Sequence, residues 1–136
     1  MAAASHWRPR LVALDIDGTL VDHAGVMPDS VHAAVQRVLA SDTPVVLSTG
    51  RSWHATQPIF DQLGLPPGYA VSSNGAVVVT YPPADVIREV TFDPTDVLDL
   101  VEEFAPQALI ATEEVGVGYR VSRPFPDGDL HGEIRQ

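Results

Sequence analysis

Two aspartates one residue apart, Asp15 and Asp17, close the apolar run Leu11-Val12-Ala13-Leu14 and are followed by Gly18, Thr19 and Leu20. On an extended backbone, residues two apart point to the same side. The two carboxylates can then share one site while Ile16 turns into the core. Carboxylates held close repel each other unless a cation or a shared proton compensates. A hard cation such as Mg²⁺ suits the pair, because it prefers oxygen ligands and often bridges carboxylate to phosphate. The pair can also divide the chemistry. One carboxylate can attack phosphorus and form an aspartyl-phosphate; the other can protonate the leaving oxygen and later activate water. Gly18 lets the backbone turn tightly beside a phosphate, and Thr19 can support the loop through its hydroxyl. Singly, each of these residues does no more than end a strand in a turn; the whole string behind an apolar strand favours chemistry.

A second cluster, Ser48-Thr49-Gly50-Arg51, follows the next apolar run, Val45-Val46-Leu47. Thr49 can give its hydroxyl to a phosphate oxygen, and Gly50 allows close approach. A helix beginning here offers free N–H groups and a favourable dipole to an anion, while Arg51 can pair with phosphate or with a neighbouring carboxylate. Alone, the tetrapeptide is an ordinary strand-to-helix turn. One strand–helix unit after Asp15, it falls where a partner for phosphate belongs. A third cluster, Ser72-Ser73-Asn74-Gly75-Ala76, contains the common hairpin pair Asn-Gly; in series with the other two, Asn74 can also reach the pocket.

The elements that must position these residues alternate. Leu11 to Ile16 reads as a strand buried on both faces, as in a parallel sheet. Pro28 opens a helix with an apolar stripe of Val31, Ala34, Val35, Val38 and Leu39. Val45–Leu47 is a second strand. A second helix is expected from about Ser52 to Leu63, stopped by Gly64 and kinked or restarted at Pro58. Tyr69–Ser72 is a third strand. Strand, helix, strand, helix, strand implies a parallel sheet with right-handed crossovers and helices on its faces. After Gly75 the pattern changes: strands at Ala76–Thr80 and Val86–Phe92 joined through Pro82-Pro83, a helix at Thr95–Phe104 capped by Asp93 or Thr95, then strands at Ala108–Thr112 and Gly116–Ser122. The tail from Arg123 shows no clear periodicity. A boundary is expected near residue 80, with residues 1–80 forming one unit and 81–136 the start of another.

The chain has 136 residues, enough for one ordinary core, and a formal net charge of −10. That charge argues against binding the phosphate backbone of nucleic acid or an anionic membrane surface. An acidic protein can still bind a phosphorylated metabolite, because local groups and a metal ion govern the pocket. With no cysteine, disulfides, thiolate catalysis and cysteine-ligated zinc are excluded. Met1 to Arg10 lacks the apolar stretch of a signal peptide, so a cytoplasmic location is expected. His6, His23, His32, His54 and His131 are scattered without metal-ligand spacing. Trp53 is expected to pack on its helix. Glu102-Glu103 and Glu113-Glu114 read as solvated faces.

Taken together, these residues resemble the haloacid dehalogenase superfamily. Asp15 to Leu20 matches its first motif, DxDGTL; Thr49 within STGR matches the hydroxyl residue of its second; and the SSNGA segment resembles the Cof-like IIB branch, whose large α/β cap is inserted after the third strand. The resemblance covers most of the chain. It implies a Rossmann-like parallel three-layer α/β core, incomplete here, with the start of an inserted C2-type α/β cap. It further implies that Asp15 is the nucleophile and a magnesium ligand, and that Asp17 is the general acid and base, binding the metal through its backbone carbonyl. Thr49 then binds phosphate, with Gly18, Thr19, Gly50, Arg51 and Asn74 around the substrate. Relatives mostly hydrolyse sugar phosphates and other small phosphomonoesters.

Two further family motifs are missing. The chain contains no lysine to balance charge on nucleophile and phosphate, and no late arginine is an obvious substitute. It also lacks the acidic pair, typically GDxxND, that completes the magnesium site. Asp127-Gly128-Asp129 does not qualify, because no apolar strand precedes it and Pro124 and Pro126 do. The sequence therefore reads as ending inside the cap, with weak magnesium affinity and no useful phosphatase activity of its own. Two other readings fit the same residues: a phosphomutase, which shares the aspartyl-phosphate step, and a non-catalytic module that binds a partner or small phosphate.

Overall fold

A computed structural model describes residues 7–128, 130 and 133–135. His6, Asp129 and His131 lie outside the described residues. The elements are β1 (Val12–Leu14), α1 (Asp29–Leu39), β2 (Val45–Ser48), α2 (Trp53–Leu63), β3 (Gly68–Ser72), β4 (Val77–Tyr81), β5 (Asp85–Glu89), α3 (Thr95–Phe104), β6 (Ala111–Glu114), β7 (Gly118–Val121) and β8 (Glu133–Arg135). Strands β1 to β5 form one sheet in sequence order, and β6 to β8 form a second.

Strands β1, β2 and β3 are parallel neighbours, as two strand–helix–strand crossovers of one hand require. The register sets Leu14 beside Leu47, Leu47 beside Ala70 and Ala70 beside Val79. Of that row, Leu47, Ala70 and Val79 are wholly buried. Residues on the opposite face, such as Val46, Val71 and Val78, are only half-buried. The crossover helices touch each other, since Gln36 Nε2 donates to the Leu63 carbonyl at 2.6 Å. Helices α1 and α2 thus lie together over one face, and burial is one-sided. The expectation that β1 is buried on both faces fails: Ala13 is exposed, Val12 and Leu14 are half-buried, and β1 is the outer strand of its sheet among the described residues. The sheet then continues through antiparallel β4 and β5, so residues 80 and 81, where a boundary is expected, lie at the end of β4 inside one sheet.

Local chemistry accounts for most element ends. Ser52 caps α2 by accepting the Ala55 N–H, and Gly64 ends it at φ 60°, the left-handed conformation that costs glycine no Cβ clash. Helix α2 runs unbroken through Pro58, so the expected restart there does not occur. Trp53, Ile59, Phe60 and Leu63 bury the inner face of α2. Tyr81, at the end of β4, meets the rings of Trp53 and Phe60 edge-on, each at 5.2 Å between centroids. Packing therefore claims Trp53, as its helical position suggests. Helix α3 spans the residues its periodicity predicts, yet none of them is buried. No helix among the described residues is long and apolar enough to cross a membrane.

Candidate active site

The loop that carries Asp15 and Asp17 is a tight reversal built on Ile16. Its carbonyl accepts the N–H groups of Leu20 and Val21 at 2.9 and 3.0 Å, while Gly18 N–H donates to the Val21 carbonyl. Ile16 and Leu20 sink into the core, so Asp15, Asp17, Gly18 and Thr19 are left on the exposed side. The alternation read from the sequence is what the backbone delivers. Gly18 has φ 72° and nothing within 4 Å of where a Cβ would stand, so its requirement is conformational and not steric. Gly18→Ala should lower stability by about 1–2 kcal/mol through the left-handed penalty alone, read from the midpoint of urea unfolding; an unchanged midpoint would show that the loop does not depend on it.

Because Leu14 pairs with Leu47 in parallel strands, Asp15 and the Ser48–Arg51 segment emerge together at the carboxyl ends of β1 and β2. Thr49 is buried, and its Oγ1 accepts the Arg51 N–H at 3.2 Å. Its own hydroxyl proton stays available to an anion. Arg51 then reaches across to Asp17 as a two-pronged partner: Nε donates to Oδ2 at 2.8 Å and Nη2 to Oδ1 at 2.6 Å. The third cluster is stitched to the second, with Ser73 N–H on the Arg51 carbonyl at 2.8 Å and Asn74 N–H on the Thr49 carbonyl at 3.1 Å. Ser73 and Asn74 both sit at positive φ, 50° and 54°, where Asn is tolerated and Ser is uncommon. The Asn74 side chain lies over Gly50, whose Cβ would come within 3.1 Å of Asn74 Oδ1. Asn74 therefore ends in the short helical turn after β3 and not in a two-residue hairpin.

Asp15, Asp17, Thr49, Gly50, Arg51 and Asn74 thus share one end of the sheet. Thr19 stands apart: it lines the groove between β1 and α1 with Val12, Leu14 and Val31, and no side-chain hydrogen bond among the described residues joins it to the others. Sequence reasoning missed Ser73 and Glu113. Glu113, on β6, accepts the Ser73 hydroxyl proton, and its Oε1 is buried with no partner among the described residues. Its expected place on a solvated face is therefore wrong. Glu114 instead pairs with Arg120 and Arg135. The strand expected at Ala108–Thr112 lies instead at Ala111–Glu114, and alternation along it puts Glu113 and Glu114 on opposite faces.

Electrostatics couple the cluster. The Arg51 guanidinium, through its hydrogen bonds and charge, holds the Asp17 carboxyl below its ordinary pKa, and Arg51 is raised in turn by Asp17 and, more weakly, by the charge of Asp15. Asp17 is therefore ionised wherever ordinary aspartates are. Its stabilising effect is complete above the unfolded carboxyl pKa and is lost as pH falls through the lower folded value. With 60% of the Asp17 side chain exposed, solvent limits the contribution to below about 1 kcal/mol. Arg51→Gln should return the Asp17 pKa upward toward the ordinary carboxylate range, read by carboxyl carbon shifts in an NMR titration; an unmoved titration would contradict the pairing.

Among the described residues no group of three His, Asp or Glu side chains converges on one point. The donors at hand are still the right kind for Mg²⁺, which keeps several waters and commonly takes one or two carboxylates plus phosphate oxygens. Asp15 spends Oδ1 on the Ile16 N–H at 2.8 Å and has Oδ2 left over. The Asp17 carbonyl accepts no backbone hydrogen bond among the described residues. These two oxygens fit a lightly held ion.

Comparison with known proteins identifies the family and the fold. The haloacid dehalogenase-like hydrolase family matches residues 12–117. The HMP-PP phosphatase of Serratia proteamaculans strain 568 is 38% identical over 92 residues, which are 60% of this chain and 32% of that protein. A haloacid dehalogenase-like hydrolase from Bacteroides thetaiotaomicron superposes with a TM-score of 0.73 over 88% of this chain and 46% of its own, at 20% identity. The subclass IIB sugar phosphatase BT4131 gives 0.65 over 83% and 44%, at 19% identity. The chain thus spans about a third of that curated relative and less than half of those structures. From the family match, the DxDGTL loop and the shared fold, the chain belongs to the haloacid dehalogenase-like hydrolases.

Proposed function

We propose that this chain carries the nucleophile and phosphate-binding half of a Mg²⁺-dependent phosphatase acting on a small phosphomonoester, a sugar phosphate by preference. The observation that supports it most directly is the convergence of Asp15, Asp17, Thr49 and Arg51 at the carboxyl ends of β1 and β2, the place where open α/β sheets bind ligands. Bound Mg²⁺ would supply charge neutralisation between Asp15 and the phosphoryl oxygens. The rest falls to the chain. The Asp15 Oδ2 attacks phosphorus as the bond to the leaving oxygen breaks, and Asp17, which must first take up a proton in the substrate complex, delivers it to that oxygen. Asp17 then takes a proton from water, which attacks the aspartyl-phosphate, frees inorganic phosphate and regenerates Asp15. Thr49 holds a phosphoryl oxygen through its free hydroxyl proton. A cavity of about 210 Å³ lined by Ser73, Val77, Glu89 and Phe92 among others offers the Glu89 carboxylate to a hydroxyl-rich leaving group.

The test is made on residues 1–136 joined to the remaining carboxyl-terminal part of the Serratia phosphatase. Phosphate release is followed over a panel of sugar phosphates, with and without Mg²⁺. Mg²⁺-dependent turnover with a preference among sugar phosphates is the expected result. A folded fusion that binds Mg²⁺ and releases no phosphate from any of them would defeat the proposal. The 136-residue chain by itself should show no turnover above background with p-nitrophenyl phosphate.

A further inference from the structure

Ser73 holds a backbone conformation that suits glycine better than serine. Its φ of 50° lies in the left-handed region, which glycine enters freely and a residue with a Cβ enters at a cost. What the serine adds there is a hydroxyl, and that hydroxyl donates to Glu113 Oε2 on β6. The contact joins the turn between β3 and β4 to the second sheet. Two residues beyond Glu113, Val115 packs against the buried core, so the end of β6 is seated on the first sheet by a polar contact and an apolar one. We propose that Glu113 is a positioning residue: by holding the Ser73 hydroxyl it fixes the Ser73–Asn74 turn, and through that turn the phosphate-binding segment from Thr49 to Arg51.

This rests on the phosphatase reading, in which Thr49 meets phosphate, and adds to it a residue from the second sheet. The path between them is short. Ser73 N–H donates to the Arg51 carbonyl at 2.8 Å, and Asn74 N–H donates to the Thr49 carbonyl at 3.1 Å. Thr49 Oγ1 accepts the Arg51 N–H at 3.2 Å, and the Asn74 side chain lies over Gly50. One end of the turn is already fixed, because Ser72 is buried with its hydroxyl 3.4 Å from Thr56 Oγ1. Beyond Ser72, two successive residues at positive φ have to be kept in place. Glu113 grips the first of them from outside the loop, and a carboxylate is a stronger acceptor for a hydroxyl than a neutral group. A shift of the second sheet that withdrew Glu113 would therefore be felt at Thr49 and Asn74.

Charge and position act here with opposite signs. A negative side chain beside the loop disfavours phosphate, so removing the charge alone tightens phosphate binding; losing the grip on Ser73 weakens it. The 136-residue chain is compared with Glu113→Ala, Glu113→Gln, Ser73→Ala and the Ser73→Ala/Glu113→Ala double variant. Amide hydrogen exchange is measured first, then a titration with inorganic phosphate in the presence of Mg²⁺, read at the Thr49 and Asn74 amides. Gln keeps a carbonyl acceptor for the Ser73 hydroxyl without the charge. Protection of the Ser73 and Asn74 amides should fall roughly tenfold in each alanine variant and no further in the double variant. In Glu113→Gln it should stay near that of the unaltered chain. The Thr56 amide, which donates to the Ser52 carbonyl at the start of α2, should not change in any of them. Phosphate should bind Glu113→Ala roughly fivefold or more weakly, the lower end of the range for coupled sites, and should bind Glu113→Gln at least as tightly as the unaltered chain. Unchanged protection at Ser73 and Asn74 overturns the proposal, as does tighter phosphate binding in both Glu113 variants, the mark of charge alone. An equal fall at Thr56 also overturns it, since Glu113 would then support the fold in general. If phosphate moves neither amide of the unaltered chain, the phosphatase reading fails and the positioning role fails with it. If Glu113→Ala binds phosphate as tightly as the unaltered chain does, the positioning role alone fails.

Discussion

Asp15→Asn should cut Mg²⁺-dependent phosphate release by the fused phosphatase at least about a thousandfold, or roughly 4 kcal/mol of transition-state stabilisation. The amide is isosteric and can keep the hydrogen bond that the Asp15 Oδ1 accepts from the Ile16 N–H. The side chain is also exposed, so the fold has no reason to change. What disappears is the anionic oxygen proposed to attack phosphorus. Asp17→Asn should behave differently. It removes a proton carrier, typically worth about 10²–10⁴-fold, but a good leaving group such as p-nitrophenolate needs no proton. With p-nitrophenyl phosphate that variant should therefore still release a burst of nitrophenolate and accumulate phosphate on Asp15, visible by mass spectrometry of the labelled peptide. Asp15→Asn should give neither burst nor label. Activity within tenfold of the parent in Asp15→Asn would remove this residue from the chemistry.

Phe60→Ala should be the most damaging core substitution, destabilising the chain by about 3–5 kcal/mol. Phe60 is 2% exposed and sits edge-on to Tyr81 with an interplanar angle of 89°. Removing the ring leaves a void that Trp53 and Tyr81 cannot both close, since Tyr81 is also held by Gln57 Nε2 on its hydroxyl at 3.1 Å. Total stability of an ordinary domain is about 5–15 kcal/mol, so the loss is a large share. Helix α2 begins immediately after Arg51, and the damage should reach the site: the Thr49 and Asn74 amide signals should broaden or shift before global unfolding. Urea denaturation followed by circular dichroism checks the first claim. A loss below about 1 kcal/mol would mean that α2 does not depend on this ring.

Some of this was open to inspection in the sequence, because it follows from neighbours along the chain. The i, i+2 geometry of an extended backbone put Asp15 and Asp17 on one side and Ile16 on the other. A glycine past the last apolar position stopped α2 at Gly64, and helical spacing marked out Thr95–Phe104. These outcomes depend on local sterics and on the periods of helix and strand, which a few residues suffice to express. The tail from Arg123, by contrast, holds β8, whose three residues carry no pattern until β7 supplies a partner.

What only the tertiary structure decided involves residues far apart in sequence. That Arg51 grips Asp17, 34 positions away, and that Glu113 crosses 40 positions to Ser73, depends on which loops the sheet order brings to one end. The one-sided burial of the sheet is of the same kind: the strands β1, β2 and β3 read as uniformly apolar, and nothing in that run says which face the crossover helices will cover. Charges and apolar residues declare what they can do; the handedness and order of the strands decide which of them meet, because a contact between distant residues is a property of the packed chain and not of either segment.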